Sequence, residues 1–491
     1  MTINRRRFLG VVAAGAAAAA CSPGRGAAPP TSTGTTTTTT TSAPPPSTSQ
    51  APVPPDWNAL REQLKGELIL PADNGYATAA RSYNPRFDNH KPAAIARCQS
   101  PDDVQRCVDV ARDARMPIAA RSGGHSYAGY STPDKGLVLD LRPMATVRVD
   151  GDTAEIGAGA RLMEVYSGLA DAGRALPAGS CPTVGISGLT LGGGIGVTAR
   201  KYGLTCDKLV SAKVVLADGT QRTVDGDDLL WALKGGGGGN FAVVTSFTFA
   251  TEPAPDMTVF SLRYPAGATA DVIGAWQDWI ARQPDEMWSN CVVSAGSPPT
   301  CRVGGALLGG EDQCKQLLRS MPRASSLLIT GKGYLDAMRY FGGCSQRSLA
   351  QCRPESEGGQ LGRATFTASS RMLTEPVDPA ALVDLLRGRT ALDVLLDSLG
   401  GAVSRVAPGD TAFPHRAALA SAQIYSSGDA RAVAEVRDGL GRLAGPHGYV
   451  NYIDPAMPDW ATAYYGDNLP RLREVAAKYD PDKVFAFAQA L

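Results

Sequence analysis

The hydrophobic and polar positions of the chain first follow a helical period just after Ser100. Ser100 and Pro101 are the residue types that cap and begin a helix, and the apolar positions that follow share one helical face. Short apolar runs then predict strands, followed by a second helical pattern and a hairpin. The predicted strands are 118–121, 137–141 and 154–156, the helix is 162–172, and the hairpin strands are 213–216 and 221–224.

The pattern changes over residues 253–443, where strand-like runs alternate with amphipathic helices. The predicted strands are 258–264, 291–294 and 365–369, and the clearest helices are 271–282 and 379–389. Such a segment predicts a sheet covered by helices. Together with the mixed first half, it predicts an α+β protein.

Composition limits the classes of function. A chain of 491 residues with 43% hydrophobic residues is long enough to bury at least two cores. Its 48 basic and 47 acidic residues give a net charge of +1, which favours a small, weakly charged substrate and no nucleic acid. The 4 histidines form no recognisable zinc motif, so no metal site is expected.

The N-terminus has the charge and hydrophobicity pattern of an export signal. Arginines at 5–7 precede Phe8-Leu9 and a run of small residues that is too short to span a bilayer. The segment resembles the twin-arginine motif, whose route exports folded proteins. Residues 19–22 (AACS) resemble a lipoprotein cleavage site, with an ordinary signal-peptidase site as the alternative. Residues 1–21 are therefore predicted to be a signal, with Cys21 carrying the lipid.

Residues 22–55 consist mainly of Pro, Ser, Thr, Ala and Gly, which have little to bury against a core. They are predicted to be a disordered linker. The folded part then begins near Asp56. These features predict an exported protein, tethered by lipid to the outer face of the cytoplasmic membrane.

Three glycine-rich loops fall within the first predicted region: 121–126, 188–196 and 235–239. Loops of this kind let backbone N–H groups approach an anionic ligand such as a dinucleotide pyrophosphate, although each alone could be a tight turn. Residues 194–199, with Asp218 downstream, also partly fit a Rossmann fingerprint. The irregular segment that precedes them disfavours that interpretation, because the fingerprint requires a preceding strand.

Four motifs give a specific resemblance: RSGGHSYAGYS at 121–131, CPTVG at 181–185, LGGGIG at 191–196 and WALKGGGGGNF at 231–241. In order and spacing they resemble the PCMH-type FAD domain of the vanillyl-alcohol-oxidase superfamily, in its berberine-bridge branch. The resemblance implies FAD held between two α/β subdomains. It also implies a PCMH-type FAD-binding domain at 56–252, with its core at about 90–252, a substrate domain with an antiparallel sheet at 253–443, and a C-terminal segment at 444–491 that returns to the FAD domain.

By this resemblance two covalent bonds hold FAD. One joins His125 to the flavin 8α-methyl group, and the other joins Cys181 to ring carbon 6. His125 as a turn histidine and Cys181 as an inert or disulfide-bonded thiol are the alternatives. The residues implied to contact the cofactor, besides these two, are Arg121, Ser122, Gly123, Gly124, Ser126, Val184, Gly185, Gly188, Gly192, Gly193, Gly194, Gly196, Asn451 and Asn468.

The same resemblance implies the catalytic residues. Gln423 and Tyr425 are expected on one face of a strand, pointing at the substrate. Tyr449, in the Tyr-Val-Asn-Tyr element that ends at Tyr452, is expected to take the proton of a substrate hydroxyl while the adjacent carbon passes a hydride to the flavin. Tyr452 and the oxidised flavin are the expected stabilisers of its phenolate. Packing roles are the alternatives for Tyr425 and Tyr449, and His415 is expected to be structural.

The implied activity is oxidation of an alcohol or sugar hydroxyl, with oxygen reoxidising the flavin to give hydrogen peroxide. Val184 stands where the family associates valine with oxygen access. The alternatives are a dehydrogenase that uses an envelope electron acceptor and a non-catalytic flavin-binding or sugar-binding lipoprotein. Sugars and oligosaccharides rank together with secondary alcohols of glycosylated natural products as implied substrates, ahead of amine alkaloids.

Apart from Cys21 and Cys181, eight of the 10 cysteines remain for disulfides in an exported protein. Cys344 with Cys352 is the preferred pair because the intervening loop is short and polar, although sequence alone does not select the pairing. Cys206 is expected to be free.

Overall fold

The structure is a computed structural model that describes residues 52–491. The predicted signal, its Cys21 and residues 22–51 of the predicted linker lie outside the described residues. The first helix, α1 (Trp57–Gln63), begins directly after Asp56, whose carboxylate accepts hydrogen bonds from the backbone nitrogens of Asn58 and Ala59. Among the described residues, no helix is both long enough and apolar enough to cross a membrane.

The first sheet has four strands in the order β1-β2-β4-β3. The bounds are β1 (Glu67–Ile69), β2 (Ala94–Arg97), β3 (Ile118–Arg121) and β4 (Leu137–Asp140). Strands β2, β3 and β4 run parallel, so β2 and β3 need a crossover, which α3 (Pro101–Ala114) supplies. This helix begins where the sequence predicts it: Ser100 and Asp103 form a capping box, worth about 1 kcal/mol.

The second sheet has five antiparallel strands in the order β5-β6-β10-β8-β9, and a two-stranded ribbon pairs β7 with β11. The predicted hairpin is present as β8 and β9. The bounds are β5 (Val147–Asp150), β6 (Thr153–Gly157), β7 (Arg174–Ala175), β8 (Leu209–Val215), β9 (Gln221–Val224), β10 (Val243–Ala250) and β11 (Glu252–Pro253).

Most helices around these two sheets are short. Their bounds are α2 (Tyr76–Ala79), α4 (Leu162–Ala170), α5 (Ile186–Leu191), α6 (Ala199–Tyr202) and α7 (Asp228–Leu233). The two sheets share one large core with the C-terminal part of the chain, where Tyr464, Tyr465 and Leu472 are buried against it. The two subdomains implied by the motifs are therefore these two sheets with their helices.

The third sheet has seven antiparallel strands in the order β15-β12-β14-β13-β17-β18-β16. The bounds are β12 (Met257–Arg263), β13 (Met287–Ser294), β14 (Thr300–Leu307), β15 (Ser326–Lys332), β16 (Thr367–Leu373), β17 (Leu392–Ser398) and β18 (Ala420–Ser426). This is the antiparallel sheet that the sequence predicts.

Four helices cover one face of the third sheet: α8 (Thr269–Ala281), α9 (Glu311–Leu317), α11 (Pro379–Leu386) and α13 (Ala430–Ala444). Two more, α10 (Tyr334–Phe341) and α12 (Ala402–Arg405), pack against α4 and α6 of the first part of the molecule. The second core lies beneath α8, α11 and α13, where β17 and β18 contribute alternate residues such as Val394 and Ile424. The residues between them on each strand point to the opposite face, towards the flavin-domain loops.

The chain then returns to the first part of the molecule through α14 (Trp460–Tyr465) and α15 (Leu469–Tyr479). Lys478 and Tyr479 bind the Asp228 carboxylate of α7. A buried ion pair makes a second connection to the first part of the molecule. The two terminal guanidinium nitrogens of Arg416 donate to the Asp207 carboxylate, at 2.8 and 2.7 Å.

The predicted disulfide between Cys344 and Cys352 is present, and Cys206 is free and buried.

Candidate active site

Two loops bring together the residues predicted to attach the flavin. The first follows β3 and carries His125, and the second precedes α5 and carries Cys181. Both side chains contact Thr183, whose hydroxyl oxygen lies 2.9 Å from His125 Nε2 and 3.8 Å from the Cys181 sulfur. The Tyr83 ring stacks on the imidazole at 3.8 Å. A histidine and a cysteine far apart in sequence therefore meet at one hydroxyl group.

Glycine is required where these loops touch. A Cβ atom on Gly123 would lie 2.3 Å from the Gly185 nitrogen and 2.5 Å from the Thr183 carbonyl oxygen. Gly124 has φ of +69°, a conformation that residues with a side chain rarely adopt. The loops therefore pack backbone against backbone, which fixes His125 relative to Cys181.

Burial also sets the protonation state of His125. Desolvation, with a smaller contribution from the positive charge of Arg161, lowers the pKa of His125 to about 3. The imidazole is therefore neutral near pH 7 and has a lone pair on one ring nitrogen. A neutral imidazole and a free, half-buried thiol are the chemical groups that a doubly attached flavin requires, so the residues present fit this cofactor.

The second glycine-rich loop joins the flavin-domain side of the site to the C-terminal segment. A Cβ on Gly192 would lie 2.2 Å from the Asn451 Oδ1 atom, and one on Gly196 would lie 1.8 Å from the Ala178 carbonyl oxygen. Gly193 and Gly194 have φ of +119° and +88°. Gly188 differs, because a Cβ there would meet open space, so a ligand can approach its backbone.

The element directly before residues 194–199 is the helix α5, which ends at Leu191, and not a strand. The Rossmann interpretation of residues 194–199 therefore does not hold.

Tyr449 lies at the centre of the site and is 2% exposed. Its hydroxyl oxygen accepts hydrogen bonds from the Gly194 nitrogen at 2.9 Å, the Ile195 nitrogen at 3.3 Å and the Asn451 amide at 2.9 Å. Burial raises the pKa of Tyr449 to about 12, and these three donors oppose that rise. The site therefore combines a desolvated phenol with preorganised stabilisation of its phenolate.

The prediction that Tyr452 stabilises this phenolate is not supported by the described contacts. The two rings meet edge to face at 5.0 Å, with no hydrogen bond between the hydroxyls. Tyr452 instead stacks on Tyr127 at 5.4 Å. Tyr452 thus lies in the aromatic wall of the site, and its part in stabilising the phenolate stays a prediction.

Gln423 and Tyr425 lie on the same face of β18, as strand alternation predicts. The Gln423 amide donates to the Tyr127 hydroxyl, across 296 residues of sequence. The Tyr425 ring stacks on Phe366 at 5.0 Å, and Phe366 also packs edge to face against Tyr127 at 4.9 Å. Gln423, Tyr425 and Phe366 therefore form an aromatic surface that includes an amide, on the face of the sheet above the flavin loops.

A buried carboxylate lies beside this surface. Asp397 of β17 pairs in register with Ser421 of β18 and Asn290 of β13. Burial raises the pKa of Asp397 to about 6, and a hydrogen bond with Asn290 opposes the rise. Its charge contributes to holding the pKa of Tyr452 well above the ordinary range, after the larger effect of burial. Asp397 therefore adds a group that titrates near neutrality.

Several residues predicted to contact the cofactor have side chains bound within the protein. The Arg121 guanidinium is buried and bound to Asp140 and to the Ala79 carbonyl, because a buried cation needs a carboxylate. Asn468 donates to the carbonyls of Pro408 and Thr411. Both side chains have structural partners among the described residues, and contact of these two residues with the cofactor stays a prediction.

The serines of the first loop and the neighbours of Cys181 also hold the backbone. The Ser122 hydroxyl donates to the Ala158 carbonyl, and the Ser126 hydroxyl accepts from the Tyr130 nitrogen. Val184 is half-buried, and its carbonyl accepts a bond from the first turn of α4. His415 is structural as expected, with Nε2 3.0 Å from the Tyr464 carbonyl.

Sequence analysis did not assign roles to Thr183, Tyr127, Tyr83, Phe366 and Asp397. Thr183 and Tyr127 lie two residues after Cys181 and His125, within the same motifs. Their position in the motifs is therefore the feature of the sequence that could have indicated a role. Asp397 follows the alternating pattern of β17, in which buried and half-buried residues take turns. Tyr83 and Phe366 lie outside every motif, and only the fold brings them to the site.

Family models match both ends of this arrangement. An FAD binding domain model matches residues 92–225, which carry His125 and Cys181. A model described as berberine and berberine like matches residues 448–491, which carry Tyr449 and Asn451. The contact between Tyr449 and the Gly194 loop therefore joins the two matched regions.

Proteins of known sequence match over nearly their whole length. The uncharacterized FAD-linked oxidoreductase YgaK of Bacillus subtilis is 32% identical over 453 residues, which cover 88% of this chain and 98% of the relative. The xylooligosaccharide oxidase of Thermothelomyces thermophilus is 30% identical, covering 88% of this chain and 94% of the relative.

A solved structure supports the same fold. The structure of BBE-like 1 from Physcomitrella patens superimposes with a TM-score of 0.82 at 28% identity, covering 88% of this chain and 98% of that chain. Sequence, fold and site geometry agree. The chain belongs to the berberine-bridge-like family of FAD-linked oxidoreductases.

Proposed function

We propose that this protein is an oxidase that binds FAD covalently through His125 and Cys181 and removes a hydride from a hydroxyl-bearing carbon of a sugar or related alcohol. The observation that carries the proposal is the Tyr449 hydroxyl, held by three N–H donors between the glycine loop and the substrate-domain sheet. The name of the xylooligosaccharide oxidase relative supports a carbohydrate as substrate.

Tyr449 is the proton acceptor in this mechanism. Tyr449 must be ionised to accept this proton, and the N–H groups of Gly194, Ile195 and Asn451 already point at the oxygen that carries the phenolate charge. When the proton moves to Tyr449, the negative charge passes to the substrate oxygen and assists departure of the hydride from the adjacent carbon. FAD, when bound, supplies the hydride acceptor, and the protein supplies the base and the orientation.

Orientation comes from the face of β18. Gln423 offers an amide that binds a second hydroxyl of the substrate, with Tyr127 holding it in place. Tyr425 and Phe366 form a stacked pair that suits the apolar face of a sugar ring. A carbohydrate, which has both hydroxyl groups and apolar C–H faces, matches this combination better than an apolar alcohol.

Oxygen is the proposed electron acceptor. Val184 is small and half-buried in the loop between Cys181 and Gly185. By the family resemblance a valine at this position favours access of oxygen to the flavin. The competing function is a dehydrogenase that passes electrons to an envelope acceptor. Hydrogen peroxide release with oxygen alone supports the oxidase, whereas turnover only with an artificial dye supports the dehydrogenase.

The attachment is tested by acid denaturation of the purified protein. We expect flavin colour and in-gel fluorescence to stay with the wild-type chain. They should persist in the single variants His125→Ala and Cys181→Ala, and leave only when both residues are replaced. Flavin that washes out of the denatured wild-type protein would contradict the covalent proposal. A peroxide assay over a panel of mono- and oligosaccharides tests the activity itself.

Export and anchoring are part of the proposal. The signal at 1–21 would direct the folded flavoprotein out of the cell, the lipid on Cys21 would tether it, and the linker at 22–55 would separate it from the membrane. The three folded regions are then 56–252, 253–443 and 444–491. We expect the wild-type protein in the membrane fraction and the Cys21→Ala protein in the soluble fraction. If the two proteins divide between the fractions in the same proportion, lipid anchoring at Cys21 is contradicted.

A further inference from the structure

The Thr183 hydroxyl contacts both of the residues proposed to bind the flavin. It is 2.9 Å from His125 Nε2 and 3.8 Å from the Cys181 sulfur, within hydrogen-bonding range for nitrogen and for sulfur. A hydroxyl has one hydrogen and two lone pairs, so both bonds can exist at once. Thr183 is 4% exposed, so water does not compete for these positions.

The backbone around Thr183 is fixed by its neighbours. The carbonyls of Pro182 and Val184, on either side, accept hydrogen bonds from Met163 at 3.1 Å and Leu162 at 3.0 Å in the first turn of α4. A Cβ on Gly123 would lie 2.5 Å from the Thr183 carbonyl oxygen, so the histidine loop packs directly against it. The hydroxyl therefore has a defined position rather than one of several rotamers on a mobile loop.

We propose that Thr183 is a positioning residue for both covalent bonds to the flavin, its hydroxyl holding His125 and Cys181 at the same edge of the ring system. This inference rests on the proposed bicovalent attachment. It goes beyond that attachment by assigning the two bonds to one shared hydrogen-bonding group.

The chemistry requires such control because two bonds must form at the same benzenoid ring of the flavin, one at the 8α-methyl carbon and one at ring carbon 6. One bond joins a ring nitrogen of His125 to the 8α carbon, and the other joins the Cys181 sulfur to carbon 6. Each bond replaces one hydrogen on the side chain and one on the flavin carbon. The two electrons and two protons released reduce the ring system, and dioxygen reoxidises it with formation of hydrogen peroxide. Dioxygen is therefore the oxidant for both steps.

Thr183 acts on these steps through orientation. The hydrogen bond at Nε2 fixes the rotation of the imidazole, and stacking on Tyr83 fixes its tilt. The hydrogen bond to sulfur selects one rotamer of a thiol that is otherwise half-buried and free to turn. Holding reacting atoms in one geometry is worth far more in rate than the strength of either hydrogen bond alone.

The test compares Thr183→Val, which keeps the shape of the side chain and removes its hydroxyl, with Thr183→Ser, which keeps the hydroxyl. Flavin-depleted full-length protein is mixed with FAD in air, and covalent attachment is followed by in-gel fluorescence after denaturation. We expect Thr183→Val to attach flavin at no more than about one tenth of the wild-type rate. Non-covalent binding of flavin, measured before denaturation, should be retained. Thr183→Ser should match wild type.

Thr258→Val is the matched control. Its hydroxyl is also buried and donates to the Gly309 carbonyl, but it lies in β12 of the third sheet. It should attach flavin at the wild-type rate. If Thr183→Val does not fold, as judged by its melting transition, Thr183→Ala serves in its place.

The two bonds are then separated by adding Thr183→Val to His125→Ala and to Cys181→Ala. The proposal expects slower formation of the one remaining bond in both backgrounds. A slower rate in only one background, or wild-type rates in Thr183→Val, would overturn it. Wild-type protein without covalent flavin would instead overturn the proposed bicovalent attachment, and this inference with it.

Discussion

The side-chain amide of Asn451 donates hydrogen bonds to the Tyr449 hydroxyl and to the Leu189 carbonyl, each at 2.9 Å. One amide therefore connects the proposed base in the C-terminal segment to helix α5 of the flavin domain. Gly192 makes room for it, since a Cβ there would lie 2.2 Å from Asn451 Oδ1. The proton affinity of Tyr449 is thus coupled to the loop that borders the flavin.

Replacing Asn451 should therefore change the pH dependence of catalysis. The Asn451 bond lowers the pKa of Tyr449 against the effect of burial, so Asn451→Leu should raise that pKa. The alkaline rise of kcat/KM should move to higher pH, and activity at pH 7 should fall about tenfold. Asn468→Leu is the control, because the bonds that its amide makes to the described residues go to the carbonyls of Pro408, Thr411 and Ala412. A pH profile unchanged by Asn451→Leu would contradict this role.

The buried Arg416–Asp207 pair should be a large contributor to stability. Asp207→Asn leaves a guanidinium 2% exposed without its carboxylate, which should cost about 3 kcal/mol in the free energy of unfolding. Asp285→Asn removes a carboxylate from the more exposed pair with Arg405 and should cost less than about 1 kcal/mol. Urea unfolding compares the two. Equal losses in the free energy of unfolding would show that the buried Arg416–Asp207 pair contributes no more to stability than the exposed pair.

Acid should destabilise the fold through His415. Burial, with a smaller contribution from His447, lowers the pKa of His415 to about 3. In the unfolded chain the pKa of His415 is about 6.5. At a pH between the folded and the unfolded pKa, the unfolded chain therefore binds a proton at His415 and the folded chain does not. Stability should therefore fall as pH drops below about 6.5, by up to about 1.4 kcal/mol per pH unit for this group.

His415→Asn, which keeps a donor for the Tyr464 carbonyl but does not titrate, tests this prediction. The variant should lose less stability than wild type between pH 7 and pH 5 in urea unfolding experiments. His125 has the same lowered pKa and is present in both proteins, so a remaining acid dependence is expected. Parallel curves for the two proteins would rule out His415 as a source of the acid dependence.

Local signals in the sequence predicted local structure well. The capping residues Ser100 and Asp103 and the apolar face of α3 predict that helix, because caps and periodicity act within a few residues. Alternation along β18 likewise predicts that Gln423 and Tyr425 share a face, as they do. The family resemblance that the motifs carry implies the two-part flavin region and the antiparallel sheet, and both are present.

Contacts between distant segments could not be predicted in this way. The hydrogen bond between Gln423 and Tyr127, and the one between Tyr449 and Gly194, span more than half of the chain. The backbone N–H groups that bind the Tyr449 hydroxyl could not be predicted either, because a sequence displays side chains and not the direction of its N–H bonds. The ion pair that occupies Arg121 depends on Asp140 in the neighbouring strand β4, which no motif included.

The central claim is that Tyr449 takes a proton from a sugar hydroxyl while the flavin is reduced. Its most direct test is anaerobic mixing of a sugar with wild-type protein and with Tyr449→Phe of equal flavin content, following the visible flavin absorption. We predict that the wild-type flavin bleaches and that the variant bleaches at least about a hundredfold more slowly. Equal rates in the two proteins, or no bleaching of the wild-type flavin by any sugar or alcohol, would contradict the account.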